Sequence, residues 1–408
     1  MSIADSQKHT FLRLIAPLRP SLRTEPSVPS RFENILRVEK GLGSRDRRLY
    51  RELFYTLLRC LPWLEAADDE ALASGLAFLC AESPATRPFK QSFADESGFR
   101  GRDRAELLPA WLREECPEAF DPARLDLLLS RAPLWLRIAP GRGESLPAEL
   151  AAEGIVFSFS KLLSSALRIE GEKNLTQNEA FLRGDFEVQD ISSQLVLESC
   201  PITQGGRWLD ACAGAGGKTL QLAAMLGSSG RIDAQDPRTE ALRELALRAR
   251  RAGLQVEDRK NIAPTLSRTS RSSSPCAVIA LRPGPGAPYD GVLVDAPCSG
   301  SGTWRRSPQL KWSTGPRDVA RSAALQSELL ERHCTDVAPG GLLVYSTCSL
   351  CRSENEAVAN AFLLKHKDFE QASLVARPGL VPQGGFLRLW PWLGDGDGLF
   401  VACLRRRS

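Results

Sequence analysis

From about His9 to Arg131 the apolar residues recur at helical spacing, with Leu49, Leu53, Leu57, Leu58 and Leu61 on one face and few β-branched runs between them. This stretch predicts an all-α region. Pro62 interrupts the periodicity, and the acidic Asp68-Asp-Glu70 reads as the cap of the helix that follows. Between Arg131 and about Val188 the pattern changes. Pro133-Leu-Trp-Leu-Arg-Ile138 alternates like a strand, Pro140-Gly-Arg-Gly143 turns, and the segment from Pro147 to Gly154 reads as a short helix ended by glycine. Phe181 to Asp190 then predicts a turn and a strand leading into a helix at Ser192. From Arg207 onward strand-like and helix-like segments alternate, which predicts a parallel sheet with helices on both faces. The expected organisation is an all-α domain over 1–130, a small α+β linker module over 131–188 and an α/β domain over 189–408.

Two apolar runs in the last region, Gly291-Val-Leu-Val294 and Gly341-Leu-Leu-Val344, have the texture of buried parallel strands. Each leads into a cysteine, in Asp295-Ala-Pro-Cys298-Ser-Gly and in Tyr345-Ser-Thr-Cys348-Ser. Ligands of open α/β sheets bind outside the carboxyl ends of the strands, so both thiols are expected to face one cleft. A free cysteine often merely fills core space, but two at strand ends favour chemistry. Upstream, Trp208-Leu-Asp210 closes a strand, and Gly214-Ala-Gly-Gly217 makes a tight turn before a helix over Thr219 to Leu226. Glycines there let the backbone approach a ligand, and the helix start offers free N–H groups. Asp236 closes a second strand about 20 residues on, the offset at which a carboxylate can hold ribose hydroxyls. A nucleoside cofactor fits, of a type shared by nicotinamide-binding and adenosyl-binding domains. Asn261 to Pro288, rich in serine, arginine, proline and glycine, reads as a mobile, weakly basic insertion, and leaves Asp258 and Asn261 both open as the cap of the third strand.

Composition narrows the setting. With 408 residues, 43% hydrophobic and 25% charged, the chain reads as soluble and globular, without an apolar run of membrane-spanning length. A net charge of +4 does not by itself imply a nucleic-acid partner, so the distribution of charge has to decide. Eleven cysteines without metal-ligand spacing, and a start lacking a signal pattern, predict a reducing cytoplasm and no metal site. Ser44 is placed to cap a helix whose first turn carries Arg45, Arg47, Arg48 and Arg51. Positive charge there opposes the helix dipole, which hints at a phosphate partner or else a solvated basic face.

Three motifs together resemble the Nol/Nop/Sun family of RNA cytosine-C5 methyltransferases, and in particular its bacterial 16S ribosomal RNA members with a NusB-like N-terminal domain. They are Asp210-Ala-Cys-Ala-Gly-Ala-Gly-Gly-Lys-Thr219; Asp295 to Gly302 with Arg305-Arg-Ser-Pro-Gln-Leu-Lys-Trp312; and Tyr345 to Ser349 followed by Glu354-Asn-Glu356. The resemblance implies a Rossmann-like catalytic domain, a NusB-like RNA-binding domain at the N-terminus, S-adenosyl-L-methionine as cofactor and RNA, above all ribosomal RNA, as substrate of a monomer. It assigns attack on cytosine C6 to Cys348, a part in releasing the C5 proton to Cys298, and the pyrimidine edge to Asp295. It places the cofactor on Cys212, Ala213, Gly214, Ala215, Gly216, Gly217 and Lys218, with Asp236 on the ribose and Asp295 beside it. Lys218 is expected to reach the cofactor carboxylate or to be solvated. Arg305, Arg306 and Lys311, with Trp304 and Trp312 interleaved, suit single-stranded RNA, whose bases stack and whose phosphates pair with arginine. Ala215 and Ala139 depart from the family pattern, standing where relatives carry proline and asparagine.

Other readings make different demands. A nicotinamide oxidoreductase shares the glycine turn but does not need the cysteines; a DNA cytosine methyltransferase needs only the first. A non-enzymatic NusB-like RNA-binding or antitermination protein needs neither, and a tRNA methyltransferase needs both.

Overall fold

In the computed structural model of the chain, which describes residues 2–171, 174–258, 278–281 and 288–408, the helix Ser44–Arg59 turns Leu49, Leu53, Leu57 and Leu58 inward. They join Phe11 and Leu14 of Ile3–Ile15, Phe32 and Leu36 of Val28–Val38, and Leu72 and Leu76 of Asp69–Leu79 in one core. Asp68 caps the last of these helices, accepting from the Ala71 N–H at 2.9 Å, as the acidic run predicts. At its other end the Lys90 ammonium donates to the carbonyls of Ala77, Phe78 and Cys80. These are the orphan acceptors that every helix terminus leaves. Ser44 is the first helical residue rather than the cap, a position Gly43 takes. This helical unit comprises Met1–Arg131 together with Thr303–Pro316. The second segment comes from much later in the sequence.

The other unit comprises Ala132–Gly302 and Arg317–Ser408. It opens with four strands, β1 (Leu134–Ile138), β2 (Phe157–Phe159), β3 (Ala166–Ile169) and β4 (Phe186–Val188), in the antiparallel order β2-β3-β1-β4. Leu136, Leu167, Ile169 and Phe186 pack beneath them with Leu146 and Leu150 of the helix Ser145–Ala152. This small sheet belongs to the same unit as the larger one that follows.

The large sheet contains β5 (Arg207–Asp210), β6 (Arg231–Ala234), β7 (Val256–Glu257), β8 (Val278–Leu281), β9 (Tyr289–Asp295), β10 (Val337–Thr347), β11 (Phe369–Gln371), β12 (Leu387–Leu389) and β13 (Leu399–Arg406). Their order is β11-β13-β10-β9-β5-β6-β8-β7, with β12 beside β13. The strands from β10 to β7 along this path are parallel, while β13 runs antiparallel to β10, β11 and β12. Because β5 lies between β6 and β9, the order reverses at its carboxyl end, the place where such sheets form a crevice.

One expectation is corrected. Val278–Leu281, read as part of a mobile insertion, is β8 and pairs with β6 inside the sheet. Its apolar Val-Ile-Ala-Leu run was visible but lay between serine-rich and proline-rich flanks that masked it. Asp258 follows the outer strand β7, and Asn261 lies outside the described residues.

Gly302 shows why this end of the sheet tolerates little change. Its N–H donates to the Cys348 carbonyl at 2.9 Å and its own carbonyl accepts from Gly398 N–H at 2.8 Å. A Cβ at this position would lie 1.8 Å from the Gly398 oxygen. Gly302→Ala is expected to lower stability by about 1–3 kcal/mol or more, through the displacement such overpacking forces. Urea denaturation with a reduced midpoint and an unchanged slope would register it.

Candidate active site

Strands β9 and β10 are parallel neighbours with Ser346 opposite Asp295, so the loops that leave their carboxyl ends start side by side. The Ala296 N–H donates to the Ser346 carbonyl at 2.9 Å and continues the pairing one residue past β9. Two residues further along each loop, Cys298 Sγ and Cys348 Sγ stand 3.3 Å apart, both partly exposed. The hydrogen bond with Cys348 pushes the Cys298 thiol well above the usual thiol range, and burial and the nearby Glu354 carboxylate add to this.

Asp295 ends β9 with both oxygens engaged. Oδ2 accepts from Lys218 Nζ at 2.8 Å and Oδ1 from Ser346 Oγ at 2.7 Å. A carboxylate has about four lone-pair sites, so each oxygen can take a further donor. The Lys218 side chain is 10% exposed. Burial works to lower the proton affinity of its ammonium, but the adjacent Asp295 outweighs this and holds it above the ordinary lysine range. Lys218 is thus the buried counter-ion of Asp295.

The turn after β5 is built on Asp210. This buried carboxylate accepts from Thr219 Oγ1 at 2.7 Å and from the Cys212 N–H at 3.3 Å, tying the strand end to the helix Gly217–Leu226. Burial pushes its carboxyl up to about 7 against the opposing pull of Thr219. Gly214 and Gly216 have φ of 54° and 86°, and a Cβ on Gly216 would come within 2.6 Å of the Leu245 side chain. Only glycine suits that left-handed, closely approached position. No atom lies within 4 Å of where a Gly217 Cβ would be, so the helix start faces open space. Across the turn, Asp236 Oδ2 accepts from the Gly214 N–H at 2.9 Å and from Arg238 Nη2 at 2.9 Å. Burial acts to raise the Asp236 carboxyl, yet Arg238 and the backbone donors hold it below the usual range. A glycine cradle, a helix N-terminus and an ionised acid just beyond the next strand form a donor set that fits an adenosyl group.

With this geometry established, relatives give the chain its place. Residues 200–405 match the family model described as 16S rRNA methyltransferase RsmB/F. The chain belongs to this family. Ribosomal RNA small subunit methyltransferase B of Xanthomonas campestris is 34% identical over 319 residues, covering 77% of this chain and 68% of that protein. The protein of the same name from Erwinia tasmaniensis is 30% identical over 449 residues, covering 98% of this chain and 99% of that one. In fold, NSun6 from Pyrococcus horikoshii, solved with SFG, matches at a TM-score of 0.59 with 19% identity, over 74% of this chain and 98% of that one. RsmB/F methyltransferases use S-adenosylmethionine, and the cradle between Asp210 and Asp236 has the groups to hold it.

The basic residues after the first thiol loop lie elsewhere than a solvent-facing patch requires. Arg305 is buried and donates to Ser130 Oγ at 3.1 Å and to the Arg131 carbonyl at 3.2 Å. Lys311 is buried too, its ammonium on the carbonyls of Arg59 at 2.9 Å and Leu107 at 3.0 Å, while Trp312 Nε1 donates to the Leu58 carbonyl at 2.6 Å. Trp304 packs edge-on against Trp111. All these partners lie in the helical unit, where Lys311 and Trp312 cap the end of Ser44–Arg59. Arg306 alone of the three basic residues is exposed. Farther back, Arg47 donates to the carbonyls of Leu36 and Glu39, Arg45 to that of Pro84, and Arg51 pairs with Glu33, while Arg48 faces solvent. Ser346, which orients Asp295, was not singled out from the sequence; its position directly before Thr-Cys was the available signal. Among the described residues no cluster of acids, histidines and cysteines could hold a metal, and no helix is long and apolar enough to cross a membrane.

Burial lowers the Lys311 ammonium from 10.5 to about 7. Between those values the unfolded chain binds the proton and the folded protein does not, so stability must rise with pH. The stability difference between wild type and Lys311→Met, from urea midpoints, is therefore expected to increase from about pH 7 toward 10.5 and to level off below 7. A difference independent of pH across that window would contradict a neutral, buried Lys311.

Proposed function

We propose that the protein methylates carbon 5 of a cytosine in small-subunit ribosomal RNA through a covalent adduct between Cys348 and C6. The observation that carries this reading is the pair of thiols 3.3 Å apart beside Asp295, at the ends of adjacent parallel strands. C5 of cytosine is a weak nucleophile, and addition of a thiolate at C6 moves electron density onto it. Bound in the cradle, S-adenosylmethionine supplies an electrophilic methyl group. Backbone groups from Cys212 to Gly217 and the carboxylate of Asp236 would hold it, with the Lys218–Asp295 pair alongside.

Cys348 adds as thiolate: the S–C6 bond forms, the C5–C6 π bond breaks, and the displaced electrons pass through C4 to N3, which takes up a proton from solvent and leaves an enamine nucleophilic at C5. Asp295 accepts from the N3–N4 edge, so the ring can carry the extra proton of the adduct. Once C5 bears its methyl group, its hydrogen leaves as a proton with help from Cys298. The electrons of that C–H bond restore the C5–C6 double bond, and the Cys348 thiolate is expelled. The target base has to be unstacked for a thiol to reach C6, and Arg306 is the exposed basic side chain nearest in sequence to the first thiol loop. The helical unit is read as a NusB-like RNA-binding domain, and the protein as a cytoplasmic monomer.

The cofactor reading is tested at Asp236. Asp236→Ala is expected to weaken S-adenosylmethionine binding by about 1.5–3 kcal/mol, the range for hydrogen bonds to a charged group and roughly ten- to a hundredfold in affinity. Calorimetry on a folded variant with an unchanged Kd would remove Asp236 from the site.

The thiols are told apart by their order of action. Cys348→Ala is expected to give neither adduct nor methylated small-subunit RNA. Cys298→Ala is expected to leave protein and RNA covalently joined, visible as a slowly migrating gel band, because collapse of the adduct is impaired. The double variant should lose the band, since trapping requires prior attack. An adduct that persists in Cys348→Ala and disappears in Cys298→Ala would reverse the two roles and indicate the mechanism of DNA cytosine methyltransferases.

A further inference from the structure

Beneath the two thiols lies a carboxylate that this reaction leaves without a task. Glu354 is fully buried, in the Glu-Asn-Glu run after the second thiol loop. Its Oε1 accepts from the Ser299 N–H at 2.7 Å and from Gln326 Nε2 at 3.3 Å. Its Oε2 accepts from the hydroxyls of Ser299 and Ser349. Ser299 directly follows Cys298, and Ser349 directly follows Cys348. One side chain therefore grips the residue after each thiol. Around it, Gln326 also donates to the Pro297 carbonyl at 2.9 Å, just before Cys298. Asn355 accepts from Thr347 Oγ1 at 2.6 Å and donates to the Ser349 carbonyl at 2.9 Å, on both sides of Cys348. The Tyr345 hydroxyl donates to the Glu354 carbonyl.

A buried carboxylate is costly unless its oxygens are well supplied with donors, and here donors arrive from both thiol loops and from the helix Pro316–His333. Packing alone could be achieved with apolar residues. What an acid adds is a short, directional link between two loops whose relative position sets the separation of the sulfurs, and a negative charge close to them.

We infer that Glu354 is a positioning residue for the methyl-transfer site, holding the Cys298 and Cys348 loops in register through Ser299 and Ser349. The inference rests on the role of the two thiols proposed above. Besides holding the loops, the carboxylate strengthens the hold of Cys298 on its proton, in the same direction as its bond to Cys348 and its burial. The other titratable groups around the pair are the Tyr345 hydroxyl on β10, Cys351 in the turn that follows Cys348, and Lys218 with Asp295.

Glu354→Gln tests this, because it keeps the size of the side chain but loses the charge and replaces one accepting oxygen by a donor. On an unmodified small-subunit rRNA transcript, kcat is expected to fall at least tenfold while KM and calorimetric affinity for S-adenosylmethionine stay within about twofold. Without RNA, the pH midpoint for alkylation of Cys298 by iodoacetamide, located by peptide mass spectrometry, is expected to move downward. A contact that only stabilised the fold would not move that midpoint. Ser349→Ala keeps the charge and removes one link, so it should lower kcat several-fold and leave the midpoint in place. It also carries the test should Glu354→Gln fail to fold. Wild-type kcat in either folded variant, or an unmoved midpoint in Glu354→Gln, would overturn the inference. The failure of the underlying reading looks different: wild-type protein would then transfer no methyl group to the transcript, whatever the alkylation profiles showed.

Discussion

The pairing of β9 with β10 is the constraint on which the site depends. Parallel strands in register deliver their following loops to the same edge at the same height, and Ser346 opposite Asp295 sets that height. An acid, its serine partner and two thiols thus converge from segments far apart in sequence. A slip of one residue in either strand would turn Asp295 or Ser346 to the other face of the sheet and separate the sulfurs. The register is secured by the apolar runs inside the sheet, Val292 to Val294 and Leu343 to Tyr345, all buried. The hydrophobic core is in this sense the ruler of the active site, and the polar links at its edge refine a placement already made.

Burying that many polar groups demands that each be answered. Lys218 and Asp295 answer one another, and Ser346 takes the remaining carboxylate oxygen. Asp210 is answered by Thr219 and the Cys212 N–H, without a cation in direct contact, and accordingly its carboxyl is shifted up to about 7, whereas Asp236, met by Arg238, is shifted down. The two acids flank the same turn with opposite electrostatic characters. The one that keeps its charge faces the Arg238 guanidinium, and the one that braces the backbone meets only neutral donors.

Much of this was legible in the sequence, and what was not has definite causes. The strand-turn-helix at Asp210 to Leu226 and the two thiol loops could be read because glycine, proline and short apolar runs report local backbone demands. β8 was missed because a four-residue strand supported only by its neighbours carries little local signal, and its flanks read as loop. The Lys218–Asp295 ion pair was not legible because Asp295 comes from a distant strand, and a lysine after two glycines has the same sequence signature whether it meets a ligand or a carboxylate. The burial of Arg305 and Lys311 was hidden for the opposite reason. Arginine, lysine and tryptophan interleaved are the composition of an RNA-binding face, yet the same residues are the ones whose long stems and donor heads can be buried against carbonyls at helix ends.

That burial points to a property of the chain's connectivity. Thr303–Pro316 follows directly on the first thiol loop but is counted with the helices of the N-terminal unit, where Lys311 and Trp312 satisfy the carbonyls of Leu58, Arg59 and Leu107. Until that segment is available, the end of Ser44–Arg59 lacks these donors, and exposed carbonyls there must be met by water. The helical unit is therefore a closed structure only once a piece of the catalytic half of the sequence has joined it. Closing so long a loop costs entropy that grows only logarithmically with length, so a few buried, well-directed hydrogen bonds are enough to offset it. The residues that do this directly follow the motif bearing Cys298.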